Sequence, residues 1–216
     1  MVVKIKIKDV VYADIKQKIL SGAYSPDDRI VDLDVAATMN VSRMPVREAL
    51  LQLQTEGYLN VTTRGFALRQ FSMQEIKDIF DIRMLLEPHA AKLAVQQVTP
   101  EFIRTLRADL DAAKRALADD DTPAMMKANR AFRSSWLAVV PNERLVATIN
   151  HLQDHAETVR LATLRSRQAK EASYERNLQL LEAFEQKDAA LARRIARQNL
   201  VDSFAFYKEL SESRSA

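Results

Sequence analysis

Residues 41–50 read VSRMPVREAL. Ser42 can cap a helix, Arg43 follows at once, and Pro45 falls in the first turn, where a missing N–H breaks no intrahelical bond. Val46, Ala49, Leu50 and Leu53 then recur at helical spacing, so the segment predicts a short helix with one inward stripe. Arg43 and Arg47 lie one turn apart beside that stripe and point outward near the N-terminus. Just upstream, DLDVAATMN (32–40) predicts a shorter helix in which Leu33, Ala36 and Met39 share a face, and Asn40 suits the left-handed position that ends it. Two helices joined by so short a turn make a helix-turn-helix. The N-terminal end of its second helix enters a DNA major groove, where the planar fork of arginine matches guanine O6/N7 or a phosphate.

The surroundings extend the motif. Tyr12, Ile15 and Ile19 repeat at helical spacing in VVYADIKQKIL, and SGAYSPDD then stops that helix. Beyond Gly57, Leu59 and Val61, then Phe66 and Leu68, alternate on two short strands around Thr63-Arg64-Gly65, a hairpin with a basic tip. Three helices and a hairpin make a winged helix over residues 1–71. For an isolated arginine pair, a solvated face with i,i+4 partners is the competing explanation; the cap, the short turn and the basic wing together favour DNA.

Composition limits the alternatives. The chain has 216 residues, 47% hydrophobic and 28% charged with three glycines, which suits two mostly helical domains. The absence of cysteine excludes disulfides, thiolate metal sites, CxxC redox chemistry and a cysteine nucleophile. No run approaches the ~20 apolar residues of a membrane span. The start, MVVKIKIKD, alternates charge with Val and Ile and lacks the core of a signal peptide, so the expected location is cytoplasmic. Net charge is only +3, and residues 1–71 carry ten Lys/Arg against eight Asp/Glu, so any nucleic-acid signal lies in local placement.

IVDLDVAATMNVSRMPVREALLQLQTEGYLNVTTRGFAL resembles the winged-helix domain of the GntR family of bacterial transcriptional regulators, with SRMPVREAL as its most specific segment. The resemblance implies that Ser42, Arg43, Arg47 and the wing tip Arg64 and Gly65 touch operator DNA. Met44 stands where threonine is common, which implies a change in the base read there. Other departures are Asp27 in place of glycine after Pro26, and Asn40 in place of another glycine.

From Ser72 to Ala216 the chain predicts about six helices, an antiparallel all-helical bundle punctuated at 98–100, 119–123, 140–142, a polar stretch around 166–173, and 186–188. The order IFDIRMLLEPHAAKLA, NRAFRSSWLAVVPNERL, LLEAFEQKDAALARRIARQNL resembles the FadR-like branch of the same family, whose effector domain is called FCD. Many such domains hold a divalent metal on one Asp and three His. The matching positions here are Asn129, Arg133, Asn177 and Asn199. None is a strong ligand and guanidinium repels a cation, so no metal is expected.

Helical geometry groups the same residues without the family. Asn129 and Arg133 fall inside the stripe Met125, Met126, Phe132, Trp136, Val140; Asn177 sits with Tyr174, Leu181 and Phe184; Asn199 with Leu191, Ile195 and Phe206; and Arg83 interrupts Ile76, Ile79, Leu86, Ala90, Leu93. Inward polar groups must find partners or cost about 1–3 kcal/mol each, more when charged. One resolution is a self-satisfied network, with Arg83 paired to Glu87. The other is an effector site, which the resemblance favours because members of the family bind small molecules in this cavity: Arg133, with Arg83, grips a small carboxylate while the asparagines bind its other oxygens. His151 and His155 in HLQDH, beside Asp154, have the spacing of a helical metal pair but lack a clear third ligand, and His89 is an ordinary helix residue. No phosphate loop, dinucleotide fingerprint or nucleophile elbow occurs, so neither a cofactor nor catalysis is expected.

The expectation is a ligand-responsive transcription regulator, a repressor by family habit, that binds a palindromic operator in double-stranded DNA as a homodimer and senses a small carboxylate. An enzyme or metal-dependent module built on the helical domain is the alternative. A DNA binder without an effector is a further one.

Overall fold

Buried Val11 and Ile15 of the first helix close over Val46, Leu50 and Leu53 of the third, and around this apolar contact the N-terminal unit is built. The computed structural model describes residues 6–25, 27–155 and 166–213. The chain divides into two compact units, Met1–Ser72 and Met73–Ala216. Pro26 and the first five residues lie outside the described residues.

The first unit contains α1 (Ile7–Leu20), α2 (Asp32–Met39), α3 (Arg43–Thr55), β1 (Leu59–Thr62) and β2 (Gly65–Leu68). The α2–α3 turn is set by Asn40, left-handed at φ 52°, ψ 47°. The Asn40 N–H donates to the Ala37 carbonyl and the Val41 N–H to that of Ala36, a Schellman arrangement. Ser42 occupies the N-cap of α3, but its hydroxyl makes no capping hydrogen bond. The α3 stripe Val46, Ala49, Leu50, Leu53 is buried as its spacing predicts. Two expectations fail. Leu33 is 56% exposed, and Asp32 takes the buried place on that side of α2. Val61 also faces out, since only Leu59 of β1 reaches the core. The strands pair antiparallel from Leu59↔Leu68 to Thr62↔Gly65, and Ile30 extends the sheet through two backbone hydrogen bonds with Phe66.

Six helices are described in the second unit: α4 (Met73–Val95), α5 (Pro100–Ala118), α6 (Thr122–Leu137), α7 (Glu143–His155), α8 (Arg167–Glu185) and α9 (Ala189–Ser213). Thr99, Asp121 and Ser166 cap α5, α6 and α8 by accepting the N–H of Phe102, Ala124 and Ala169. The polar stretch after Ser166 is therefore not a break: the cap starts α8 at once. With glycine scarce, Asp120 and Lys187 take the left-handed positions that end α5 and α8. Such residues cost about 1–2 kcal/mol there. Buried Lys170 offsets part of this by donating from Nζ to the Asp120 carboxylate at 2.7 Å and to its carbonyl at 3.1 Å. The core is aromatic at its centre, where Phe184 meets Phe102 edge-on at 5.4 Å and Trp136 at 6.3 Å.

Candidate functional site

Each unit carries one constellation, and in each two arginines share a carboxylate. In the first unit the opening turns of α3 present Arg43 and Arg47, whose side chains are 59% and 63% exposed. Arg43 Nη2 donates to Asp32 Oδ1 at 3.0 Å and Oδ2 at 3.2 Å, and Arg47 Nη1 lies 3.5 Å from Oδ2. Asp32 is buried beneath them at the start of α2. Two cations on one anion leave a formal surplus of one positive charge. The pairs are solvent-screened, worth no more than about 1 kcal/mol each, so they orient the guanidinium groups without fixing them. Ser42 and Met44 beside them are exposed.

The wing supplies the other two N-terminal candidates. Arg64 is exposed at the tip. Its backbone N–H donates to Thr62 Oγ1 at 3.4 Å, and that hydroxyl donates to the Gly65 carbonyl at 3.0 Å. Gly65 has φ 107°, and a Cβ there would lie 2.6 Å from the carbonyl oxygen of Ile30. Whatever it touches outside, this glycine is required by the backbone.

In the second unit α4, α6, α8 and α9 surround a cavity of about 100 Å³, below the ~300–1,000 Å³ of sites for drug-sized ligands. Arg83, Asn129, Arg133, Asn177 and Asn199 all line it. Glu87 joins the two arginines: Oε1 accepts from Arg83 Nε and Oε2 from Arg133 Nη1, each at 2.6 Å. Burial alone would raise the Glu87 carboxyl, but Arg133 and Arg83 outweigh it and hold it at about 2, below its ordinary 4.5. Arg83 also donates to Gln153 Oε1 at 3.3 Å. The self-satisfied pairing thus exists, and Arg83 is committed to it.

Arg133 is not used up. Its buried Nε and Nη2 have no hydrogen-bond partner among the described residues. The period-based grouping also passes over Arg176, which lines the cavity from α8 and pairs with Asp202 at 3.2 Å, while its buried Nε likewise has no partner among the described residues. Burial pushes its guanidinium below the usual arginine range against the pull of Asp202, yet an arginine keeps its charge. Three arginines against Glu87 and Asp202 leave the cavity a formal +1. An amide chain completes the wall: Asn177 Nδ2 donates to Asn129 Oδ1 at 2.9 Å, and Asn129 Nδ2 to Ser173 Oγ at 3.1 Å. Spare N–H groups around an uncompensated positive charge suit an anion.

The same donor set is a poor fit to a divalent metal. The Asn129 oxygen already accepts from Asn177, and Arg133 brings a cation where a metal ligand would stand. Among the described residues no group of three His, Cys, Asp or Glu could hold a metal. His151 and His89 are exposed, and the side chain of His155 lies outside the described residues.

Known proteins resemble the chain throughout. The model of the FCD domain matches residues 78–202, and that of the bacterial regulatory proteins of the gntR family matches residues 7–66. The Nta operon transcriptional regulator of Aminobacter aminovorans is 31% identical over 162 residues, 74% of this chain and 75% of that protein. The gluconate operon transcriptional repressor of Bacillus subtilis (strain 168) is 24% identical over 194 residues, 88% of this chain and 80% of that one. In three dimensions the fold matches E. coli McbR/YncC with a TM-score of 0.85 at 24% identity, over 95% of this chain and 98% of that one.

Proposed function

The chain belongs to the GntR family of transcriptional regulators, with an FCD domain behind its winged helix, and from that premise we propose a ligand-responsive repressor that acts in the cytoplasm as a homodimer on a palindromic operator. Ser42, Arg43, Met44 and Arg47 on α3, with Arg64 and Gly65 on the wing, meet the DNA. A small organic acid enters the cavity of the second unit and tunes operator affinity. Its carboxylate is bound directly by protein, without a bridging metal. Similarity to a gluconate operon transcriptional repressor supports the repressor role. Among the described residues no helix is long and apolar enough to cross a membrane.

The observation that carries the effector half is the pair of buried N–H groups on Arg133, Nε and Nη2, that find no partner among the described residues, in a cavity of net positive charge. Leaving such donors unsatisfied costs about 1–3 kcal/mol each, a cost that a bound carboxylate removes. Arg133 and Arg176 supply the spare donors, Arg83 and Glu87 hold Arg133 in place, and Asn129, Asn177 and Asn199 line the remaining wall. The small volume selects a compact acid.

A thermal-shift screen of small organic acids, with and without chelator, tests this. The expected result is a saturable rise in melting temperature with one acid, unchanged by chelator and lost in Arg133→Met. At 100 times Kd the stabilisation is about 2.7 kcal/mol. Stoichiometric zinc or nickel in the purified protein, or a shift abolished by chelator, contradicts the metal-free reading.

A further inference from the structure

Val46, Ala49, Leu50 and Leu53 turn one side of α3 into the core of the first unit, and at about 100° per residue Met44 points almost directly away from them. Met44 is 68% exposed in the first turn of the helix. Arg43 precedes it and Arg47 follows one turn on, both exposed as well. Glu48, Leu51 and Thr55 continue the outward side, and Leu51 stands about 10 Å farther from the N-terminal end. A lone exposed methionine ordinarily needs no explanation. One set beside two guanidinium groups does, because whatever polyanion they draw to α3 meets Met44 too.

Asp32 orients the arginines around it. Its two carboxylate oxygens accept from Arg43 Nη2 at 3.0 and 3.2 Å, and Arg47 Nη1 lies 3.5 Å from one of them, so both guanidinium groups lean to the α2 side of α3. Met44 is left as the apolar part of the leading turn. A thioether has no N–H or O–H and its sulfur is only a weak acceptor, so Met44 can neither donate to a phosphate nor read a hydrogen-bonding base edge. In the major groove thymine alone offers an apolar group, its C5-methyl. The three rotatable bonds and polarisable sulfur of methionine suit it to cover such a methyl. Pressed against any other base, the same side chain strips water from donors and acceptors and replaces none of their bonds.

We propose that Met44 reads a thymine methyl in each operator half-site, beside the groups taken by Arg43 and Arg47. The contact selects in two ways, since thymine buries its methyl against the thioether while every other base loses hydrogen bonds to water. The division of labour follows from chemistry: arginine serves guanine or phosphate, and methionine serves the one base that carries a methyl. Leu51 shares the outward side but stands back from the end of the helix that enters the groove, which leaves Met44 as the apolar reader. The inference rests on the DNA-reading function proposed above and adds the feature of the operator that one side chain recognises.

A duplex selected by the full-length wild type from a random-sequence library tests this, with deoxyuridine put in place of thymine at one position after another. That change removes the methyl and keeps every base-pairing hydrogen bond. By fluorescence anisotropy, one thymine in each half-site is expected to account for a loss of about fourfold in affinity, and about fifteenfold when both half-sites are changed. Met44→Ala is expected to bind the thymine duplex only as tightly as the wild type binds the uracil one, and to bind the two equally. Its melting temperature should match the wild type, because the side chain is already exposed. A methyl dependence that survives Met44→Ala, or a wild type indifferent to uracil at every position, overturns the proposal and leaves the regulator. Failure of the wild type to select any specific duplex overturns the regulator and this proposal with it.

Discussion

Two arginines on one carboxylate occur twice in this chain, and burial makes the two sets behave differently. Arg43 and Arg47 lean on Asp32 from solvent, whereas Arg83 and Arg133 clasp Glu87 inside the bundle, with side chains no more than 11% exposed. Each set carries one positive charge more than it compensates. At the surface the surplus is screened and the forks can swing, which suits a polyanion met at variable sequence. Inside, the surplus is fixed, leaving Nε and Nη2 of Arg133 with no hydrogen-bond partner among the described residues. The same composition thus suits a DNA reader in one place and, in the function proposed above, an anion receptor in the other.

The largest expected effect comes from breaking the buried set. Glu87→Gln leaves two buried guanidinium groups without their anion and is expected to cost about 3–5 kcal/mol, seen as a large drop in melting temperature. The pH dependence follows from the same group. Its folded carboxyl at about 2 lies below the ordinary 4.5, so its contribution is fully present above pH 4.5 and is lost as pH falls through about 2. The acid limb of the wild-type stability curve should therefore flatten in the variant. Arg47→Ala comes next: about 1–3 kcal/mol of discrimination at each half-site of the operator, seen as loss of the specific complex in a gel-shift assay at wild-type working concentrations, with effector affinity unchanged. Operator binding equal to wild type would remove Arg47 from the interface. Asp32→Asn should do least to stability, under about 1 kcal/mol, because its arginines can turn to water. If Asp32→Asn and Glu87→Gln destabilise equally, burial is not what separates the two sets.

Much of this was legible in the sequence because it followed a period. The α3 stripe and the inward direction of Arg133 and Asn129 came from 3.6-residue spacing, Asn40 at the turn from its tolerance of the left-handed conformation, and the structure brings the five bundle residues to one cavity. Short elements gave less. Eight residues of α2 could not distinguish the side carrying Leu33 from the one carrying Asp32, and four residues of β1 could not show that Val61 faces water. Asp32 escaped notice because an acid in a first helical turn ordinarily serves the helix dipole. Arg176 sits at the flank of its stripe beside Asn177, and only the packing of α8 on α9 turns it to the cavity and to Asp202. Lys170 had no local signal, since its partner Asp120 lies fifty residues away.

Salt separates the exposed set from the buried one most directly. Operator affinity, by fluorescence anisotropy, and affinity for the acid found by thermal shift, by calorimetry, are to be measured on the same protein from about 50 mM to about 200 mM salt. The account predicts that operator affinity falls by about a thousandfold as counterions are released, while the acid loses less than about threefold in its enclosed site. Parallel salt dependences, or an acid affinity that collapses with that of the operator, would contradict it.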